Sequence, residues 1–508
     1  MNRPAVPGAK SRGGRRSLGD YRSELAVLVG FNGVAQIAPI IAIFAITPLL
    51  LHRLGIDRFG VWTLALVALS TLAALDGGIS ASLSRFFAVH AAAGDRAEAG
   101  RLLLGALLFF LVLGLTVTAL AFPLVPLIVG LFNIPAELEG EASAALRWVP
   151  MLAALALMAD SSAAVLQGNS RFRALAGAMV ASSLALVVAV VVLVQPGEHL
   201  GTLVVATALR YLMLIVVSLA FATRDVSIQR PLLPSRRARH ELRSYAARMQ
   251  LSAITAFVNG ELDALVIAAF LPVRYVGLYG IAIQAASAVR SLPLYVFAPV
   301  LTRMTTTFGN HGRVAAAREF ERFERAWLPA VLGYGVVAVA TIAFAVPIWL
   351  GDGYRLSGEA AAVLLAGYML HVGFTGMRTC YVRAVGYPGL ETRYQLVWAA
   401  ANALLTVPLA VLAGMLGVVA ATAGTAAGAS LYFVALCRRK EALPVTWPAH
   451  RWWPFAVAAG GITVVGEVVI VRAGHQGFLA LALAGMPALA GLVIFAAALR
   501  RPTVTVAD

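Results

Sequence analysis

The chain has 508 residues, of which 60% are hydrophobic and 13% are charged, and its formal net charge is +16. Soluble domains carry about 25% charged residues, so this composition excludes an ordinary soluble protein and indicates a membrane protein. Most of the 40 Lys and Arg residues fall in alternate loops rather than in one basic patch, which argues against a nucleic-acid partner.

Fourteen stretches are long enough to span a bilayer, because a spanning helix needs about 20 apolar residues. They are uniformly apolar, whereas the strands of a membrane barrel alternate polar and apolar residues. The predicted fold class is therefore an all-α polytopic membrane protein. The predicted spans are 25–51, 59–83, 102–131, 144–167, 175–195, 201–222, 249–271, 278–302, 326–350, 359–383, 394–414, 416–437, 452–472 and 477–499.

The basic residues predict the topology. If the N-terminus is cytoplasmic, the inside loops contain most of the Lys and Arg residues, which is the positive-inside rule. Both termini are then cytoplasmic, and the long basic loop is expected to bind anionic lipids rather than nucleic acid. The predicted organisation is a basic tail at 1–24, an N-lobe of six helices at 25–222, a basic cytoplasmic loop at 223–248, a C-lobe of six helices at 249–437, helices 13 and 14 at 452–499, and a tail at 500–508.

A weak internal repeat relates the two lobes at an offset of about 217 residues. The segment from Leu54 through Gly60 to Trp62 aligns with the segment from Leu271 through Gly277 to Tyr279, and Arg101 aligns with Arg318. Six spans separate the copies, so both copies have the same membrane topology. Parallel repeats of this kind place a substrate site between two lobes that move against each other. The repeat therefore predicts two pseudo-symmetric lobes with two C-terminal helices appended.

Four cationic side chains fall inside predicted spans. A charge at membrane depth costs at least ~2.5–3.5 kcal/mol on insertion scales, so each must face protein, water or an anion. We predict that they form a cationic substrate-binding cavity. The alternatives are that one arginine snorkels to the surface, that others form buried ion pairs, and that the histidine is a satisfied core residue. The four residues are Arg210, Arg290, His371 and Arg378.

Further polar residues lie on the same spans. Polar side chains at helical spacing line hydrated cavities, although they also join helices by interhelical hydrogen bonds. The predicted polar lining of the cavity is Asn32, Gln36, Asn259, Gln284 and Asn402. The candidates for proton or sodium coupling, or for gating, are Asp76, Asp160, Glu261, Asp263 and Arg85.

Several short motifs resemble those of a known family. The segments are Leu54-Gly55, Phe59-Gly60-Val61-Trp62, Asp76-Gly77-Gly78, Ser84-Arg85, Gly94-Asp95, Leu166-Gln167-Gly168 and Val276-Gly277-Leu278-Tyr279. In their order and spacing they resemble the O-antigen and exopolysaccharide flippases of the multidrug/oligosaccharidyl-lipid/polysaccharide (MOP) exporter superfamily, over residues 20–440. The resemblance implies a two-lobed transporter in the bacterial inner membrane. It also implies that undecaprenyl-pyrophosphate-linked oligosaccharide is moved to the outer leaflet by alternating access.

Other functions remain as alternatives. A peptidoglycan lipid-precursor flippase needs the same cations, whereas a drug/cation antiporter would need an acidic or aromatic cavity. A membrane glycosyltransferase or polymerase is less favoured, because the longest external loop, 132–143, is too short for a catalytic site. We therefore expect no enzyme activity, no cofactor and no metal site. The expected partners are the lipid-linked substrate and membrane lipids, with other polysaccharide-assembly proteins as a further option.

Overall fold

The computed structural model describes residues 18–74, 79–223, 225–227, 235, 240–241, 255, 258–443 and five positions between 458 and 465, with side chains from residue 31 onward except at 32, 80 and 81. Within these residues, eight helical stretches are long and apolar enough to cross a membrane. The all-α polytopic class is confirmed. Predicted helices 13 and 14, and Asp76, lie outside the part that can be described.

The helices follow one another with short connections. In chain order they are α1 (Leu18–Ala74), α2 (Ile79–Ala93), α3 (Arg96–Val129), α4 (Ala136–Leu146), α5 (Val149–Gly168), α6 (Phe172–Leu193), α7 (Gly201–Ala222), α8 (258–270), α9 (Val273–Leu294), α10 (Phe297–Leu350), α11 (Arg355–Ala384) and α12 (Pro388–Glu441), with a 3₁₀ turn at Asp352–Tyr354.

Three of these helices are each two helices joined at a break. A straight helix of 57 residues, the length of α1, would be about 85 Å long, far more than a bilayer requires. The break in α1 is at Gly55, with φ 79°. The breaks in α10 and α12 are at Gly312, with φ 76°, and at Gly414, with φ 60°. Glycine adopts this left-handed backbone without steric cost.

The turns recur at the predicted repeat offset. Residues with positive φ occur in pairs separated by about 217 positions, and each pair ends corresponding helices in the two halves. The pairs are Gly94 with Gly312, Ser170 with Gly386, and Gly197 with Gly414. The sequence repeat is therefore also a repeat of backbone conformation.

The helices pack in two groups. In the first helix group (α1–α7), α5 contacts α2, α3 and α7, and α6 contacts α1 and α7. In the second helix group (α8–α12), α11 contacts α9, α10 and α12. Helices α1 and α9 form a contact between the groups. This arrangement leaves space between the groups elsewhere.

The groups meet at one end of the bundle, called here the Gly55 end. A Cβ atom at Gly277 would lie 2.9 Å from the Ile56 carbonyl oxygen and 3.1 Å from the Gly60 nitrogen, so the two backbones touch. The Asn133 amide N–H donates to the Ala268 carbonyl, at 3.0 Å. These contacts close the bundle at this end.

Helix α4 was not predicted. Residues 132–143 were expected to form an acidic loop, but Pro135 precedes a helix whose first turn contains Glu137 and Glu139. Acidic residues stabilise a helix N-terminus. Glu141 in α4 then accepts hydrogen bonds from Arg58 Nε, at 3.1 Å, and from the Leu200 amide, at 2.6 Å.

The opposite end of the bundle is called here the Gly94 end. The described part of the long connection after α7 packs against the start of α3. The Ser227 amide donates to the Arg96 carbonyl at 2.9 Å, and the Ser235 amide donates to Glu98 Oε1 at 2.9 Å. These bonds attach the connection to the first helix group.

Candidate binding cavity

A cavity of about 850 Å³ lies between the two helix groups. Thr63 and Val67 of α1 form its wall on the first group, and the remaining lining comes from α8, α9, α11 and α12. The lining extends from Tyr279, near the Gly55-end contact, to Glu391 at the start of α12. The cavity therefore runs from mid-depth toward the Gly94 end.

Arg290 of α9 lines the cavity. Its guanidinium carbon lies 4.3 Å from the centroid of the Tyr368 ring, which is a cation–π contact. None of the ion pairs found among the described residues includes Arg290. Because the contact with Tyr368 leaves the N–H groups of Arg290 without a carboxylate, they are available to an anionic ligand.

A second arginine, Arg383, lines the cavity and was not predicted. Its Nε and Nη2 donate to the two carboxylate oxygens of Glu391, at 2.7 and 2.5 Å. Such bidentate pairs are strong and specific. No feature of the sequence singled out Arg383, because it lies at a span end where basic residues are common. The pair contributes no net charge to the cavity.

Glu261 and Gln284 link the groups at mid-depth. Glu261 lines the cavity and forms a side-chain hydrogen bond with Ser70 of α1. Thr47 Oγ1 of α1 lies 3.5 Å from Gln284 Oε1 of α9. Gln284, predicted as cavity lining, instead lies at the contact between the groups.

His371 lies on the cavity wall and is hydrogen-bonded. Its Nδ1 is 3.0 Å from Ser430 Oγ, and Ser430 Oγ donates to the Ala426 carbonyl at 2.6 Å. Because Ser430 has only one proton to donate, Nδ1 is assigned as the donor to Ser430. The imidazole packs against Trp398, with ring centroids 4.5 Å apart. This matches the satisfied-histidine alternative.

Two buried polar atoms on the cavity wall have no hydrogen-bond partner among the described residues. They are Nε1 of Trp398 and Oδ1 of Asn259. Trp398 is 7% exposed. Asn259 was predicted as cavity lining from its place on the polar stripe, whereas Trp398 was noted only as an aromatic on the same span.

Arg378 lies outside the cavity, which corrects its predicted role as a substrate-binding cation. It is 1% exposed and forms an ion pair with Glu324 of α10, which is fully buried. Its Nη1 also donates to the Phe374 carbonyl at 2.9 Å. The sequence did not identify this pair, because Glu324 lies in a charged stretch before predicted span nine.

Asp263 lies behind the cavity wall in a polar cluster, called here the Asp263 cluster. It is 2% exposed and accepts hydrogen bonds from Tyr279 Oη at 3.0 Å, Asn402 Nδ2 at 3.4 Å and Thr422 Oγ1. Asn402 was predicted as cavity lining but is fully buried. Because Tyr279 also lines the cavity, it connects the Asp263 cluster to the cavity.

The remaining predicted residues lie elsewhere. Arg210 and Asp160 lie on α7 and α5, where both act electrostatically on Tyr211, and neither lines the cavity. The predicted pairing of Arg210 with Arg290 across the cavity is therefore not what the structure shows. Gln36 and Arg85 are exposed. The side chain of Asn32 lies outside the described part of the chain.

Comparisons with known proteins give the family. A family model described as "Polysaccharide biosynthesis protein" matches residues 54–355, which is more than half of the chain. No curated protein matches the chain in sequence.

Solved structures with a similar fold are transporters. A multidrug resistance MATE family transporter of the MOP superfamily, in an inward-facing conformation, aligns with TM-score 0.66 and 16% identity over 81% of this chain and 95% of its own. The lipid II flippase MurJ, in an inward closed conformation, aligns with TM-score 0.61 and 14% identity over 92% of this chain and 98% of its own. A eukaryotic MATE transporter aligns with TM-score 0.58 and 15% identity, over 83% and 99% of the two chains.

At these identities the likeness establishes the fold. The order of the helices, the repeated turns and the cavity between two helix groups agree with it. The chain is a multi-pass membrane protein that belongs to this polysaccharide biosynthesis family and has the fold of MOP-superfamily transporters.

Proposed function

We propose that this protein is a flippase that moves undecaprenyl-pyrophosphate-linked oligosaccharide across the bacterial inner membrane by alternating access. The observation on which this rests is Arg290, a cation without a carboxylate partner on the wall of a cavity between two helix groups. A pyrophosphate is a multiply charged anion, and the planar fork of arginine matches its oxygens. The family match supports polysaccharide as the cargo.

The charges favour one orientation. The Gly94 end includes most of the described basic residues, so the positive-inside rule assigns this end and both termini to the cytoplasm. The cavity then opens to the cytoplasm, on the side where lipid-linked repeat units would be loaded. The basic residues at this end are Arg85, Arg96, Arg101, Arg171, Arg173, Arg303, Arg313, Arg318, Arg322, Arg325, Arg383, Arg393, Arg438, Arg439 and Lys440.

Transport is tested by replacing Arg290. We expect Arg290→Ala to lower surface polysaccharide at least tenfold and to cause lipid-linked repeat units to accumulate. Arg290→Lys should retain part of the activity, because it keeps the charge and loses the fork. Arg355→Ala is the matched control, since Arg355 is 79% exposed on its side chain and pairs only with Glu359. Normal export by Arg290→Ala at equal expression would reject the proposal.

We propose that the Asp263 cluster is the coupling site for a proton or sodium ion, with Glu261 as a neighbouring gating group. A buried carboxylate joined to the cavity through Tyr279 could respond to ligand in the cavity. Asp263→Asn is expected to abolish uphill transport in proteoliposomes while the folded protein still binds substrate. Transport that follows an imposed proton or sodium gradient equally well in wild type and Asp263→Asn would contradict this role.

A peptidoglycan lipid-precursor flippase is the second candidate, because the fold aligns with a lipid II flippase over 92% of this chain. The two functions differ in the lipid that accumulates when the protein is depleted. We expect polysaccharide repeat units rather than lipid II to build up, as measured by mass spectrometry of extracted lipids. A drug/cation antiporter is less favoured, since an unpaired arginine on the wall repels a cationic drug.

A further inference from the structure

The cavity wall opposite Thr63 contains polar groups that the Arg290 anion site does not use. Nε1 of Trp398 and Oδ1 of Asn259 are both buried, both belong to residues that line the cavity, and neither has a partner among the described residues. Buried polar atoms in native proteins nearly always have a hydrogen-bond partner. An unpartnered pair in a cavity therefore indicates a polar ligand.

The chemistry of the two atoms restricts that ligand. The indole N–H can only donate a hydrogen bond, and the amide oxygen can only accept one. A phosphate oxygen satisfies the donor and not the acceptor, while an ammonium group does the reverse. A hydroxyl group both donates and accepts. A polyhydroxyl compound therefore satisfies both positions.

The aromatic residues around Trp398 make a continuous wall. Tyr394 precedes Trp398 by one helical turn and stacks against Phe433, with ring centroids 4.3 Å apart. His371 packs against Trp398 on the other side, at 4.5 Å, and follows Tyr368 by one turn of α11. The wall thus begins at Tyr368 beneath Arg290 and continues toward the Gly94 end. Aromatic rings held in this way offer apolar surface beside polar tips.

We infer that Trp398, Tyr394 and Asn259 form a saccharide subsite adjacent to the Arg290 anion site. The C–H face of a sugar ring packs on the aromatic wall, and its hydroxyls bond to Trp398 Nε1 and Asn259 Oδ1. The diphosphate lies at Arg290, and the glycan extends from it toward the mouth of the cavity. The inference rests on the proposed function, since it assumes that sugar and diphosphate enter the same cavity.

The test compares two probes on the full-length protein in lipid nanodiscs, by isothermal titration calorimetry. One probe is farnesyl diphosphate, and the other is farnesyl diphosphate linked to glucose, galactose or N-acetylglucosamine. The ratio of their Kd values is the sugar increment. Wild type is expected to show an increment of about tenfold or more for at least one sugar. Loss of one hydrogen bond should lower it by about threefold to tenfold.

Trp398→Phe removes only the indole N–H edge, and Asn259→Leu removes the acceptor. Both should lower the sugar increment and leave the affinity for farnesyl diphosphate unchanged. Trp327→Phe is the matched control, because the Trp327 indole already donates to the Val372 carbonyl at 3.3 Å. It should lower the thermal stability and leave the increment unchanged, whereas Trp398→Phe should not lower the stability.

The two levels of the argument fail differently. Farnesyl diphosphate that does not bind, or that binds Arg290→Ala as tightly as wild type, would overturn the proposed anion site. Farnesyl diphosphate that binds through Arg290, with no increment for any sugar or with an increment insensitive to Trp398→Phe and Asn259→Leu, would overturn the saccharide subsite alone.

Discussion

The two buried arginines of the second helix group show that burial alone does not identify a ligand site. Arg378 and Arg290 both lie within membrane-spanning helices, and both were predicted to bind an anion. Arg378 has Glu324 as its partner, while Arg290 contacts only the face of Tyr368 in the printed interactions. The sequence could not separate them, because Glu324 is 54 positions from Arg378 and belongs to a stretch with many charges.

The Arg378–Glu324 pair is expected to stabilise the fold rather than bind substrate. Removing one partner of a buried pair leaves an uncompensated charge and costs about 3–5 kcal/mol, whereas replacing both with apolar residues is often tolerated. Arg378→Ala should therefore lower the melting temperature and the folded yield in detergent. The double variant Arg378→Met with Glu324→Leu should recover both. A stable, well-expressed Arg378→Ala protein that loses substrate affinity would contradict this interpretation.

On helix α8, helical spacing predicted the site in part. Asn259 and Asp263 were expected on one face, and they instead lie at the cavity wall and in the buried cluster next to it. Glu261 was expected to contact another helix, and it bonds to Ser70 of α1 while also lining the cavity. Periodicity gives the face of a helix, but the neighbours that cover this face come from distant parts of the chain.

At the scale of the helix, glycine predicts breaks better than it predicts packing. Positive-φ glycines join helices at Gly55, Gly312 and Gly414, close to boundaries between predicted spans. The glycines of α11 and α12 differ in environment although they look alike in sequence. A Cβ atom at Gly367 would lie 2.7 Å from the Ala423 Cβ, whereas one at Gly424 would meet nothing within 4 Å.

Gly367 and Gly424 form a matched pair for a packing test. Gly367→Ala should separate α11 from α12 and destabilise the protein by about 1–3 kcal/mol, because overpacking forces backbone shifts. Gly424→Ala should be neutral or stabilising by up to about 1 kcal/mol, because alanine is the better helix former. Thermal unfolding of the purified variants measures the difference. Equal melting temperatures would show that α11 and α12 are not in the close contact described.

For the whole molecule, the sequence predicted the repeat and the helical class, but not the state of the cavity. The repeat motifs at Gly60 and Gly277 were aligned in the sequence, and in the structure the two glycines face each other at the Gly55 end. Alternating access would require this contact to open while the Gly94 end closes. Which end is open depends on long-range contacts that a single sequence does not reveal.

A disulfide across this contact should arrest transport. The Cβ atom of Thr63 lies 3.4 Å from a Cβ built at Gly280, close to the 3.5–4.5 Å typical of disulfides, given as about 3.8 Å on average. Thr63→Cys with Gly280→Cys should crosslink under oxidation, stop export, and recover with reductant. The native cysteines, Cys380 and Cys437, are buried.

Each single cysteine variant serves as the control for the crosslink. The single variants should remain active under the same oxidant, which separates the effect of the bond from the effect of each substitution. Export that continues after quantitative crosslinking, measured by mobility on a non-reducing gel, would show that α1 and α9 do not separate at this level during the cycle.

The repeat offset also shows that the two halves have diverged in role. Subtracting about 217 positions from the chemically active residues of the second helix group gives small or apolar residues in the first. Asp263 corresponds to Ile46, Arg290 to Ala73, and the remaining pairs are Asn402 with Ala185, Trp398 with Ala181, and Thr422 with Val205. A duplicated half thus kept its backbone and turns while only one copy acquired ionisable and aromatic chemistry. The transporter is therefore an asymmetric machine built on a symmetric frame, in which an inert half moves against a half that recognises the cargo.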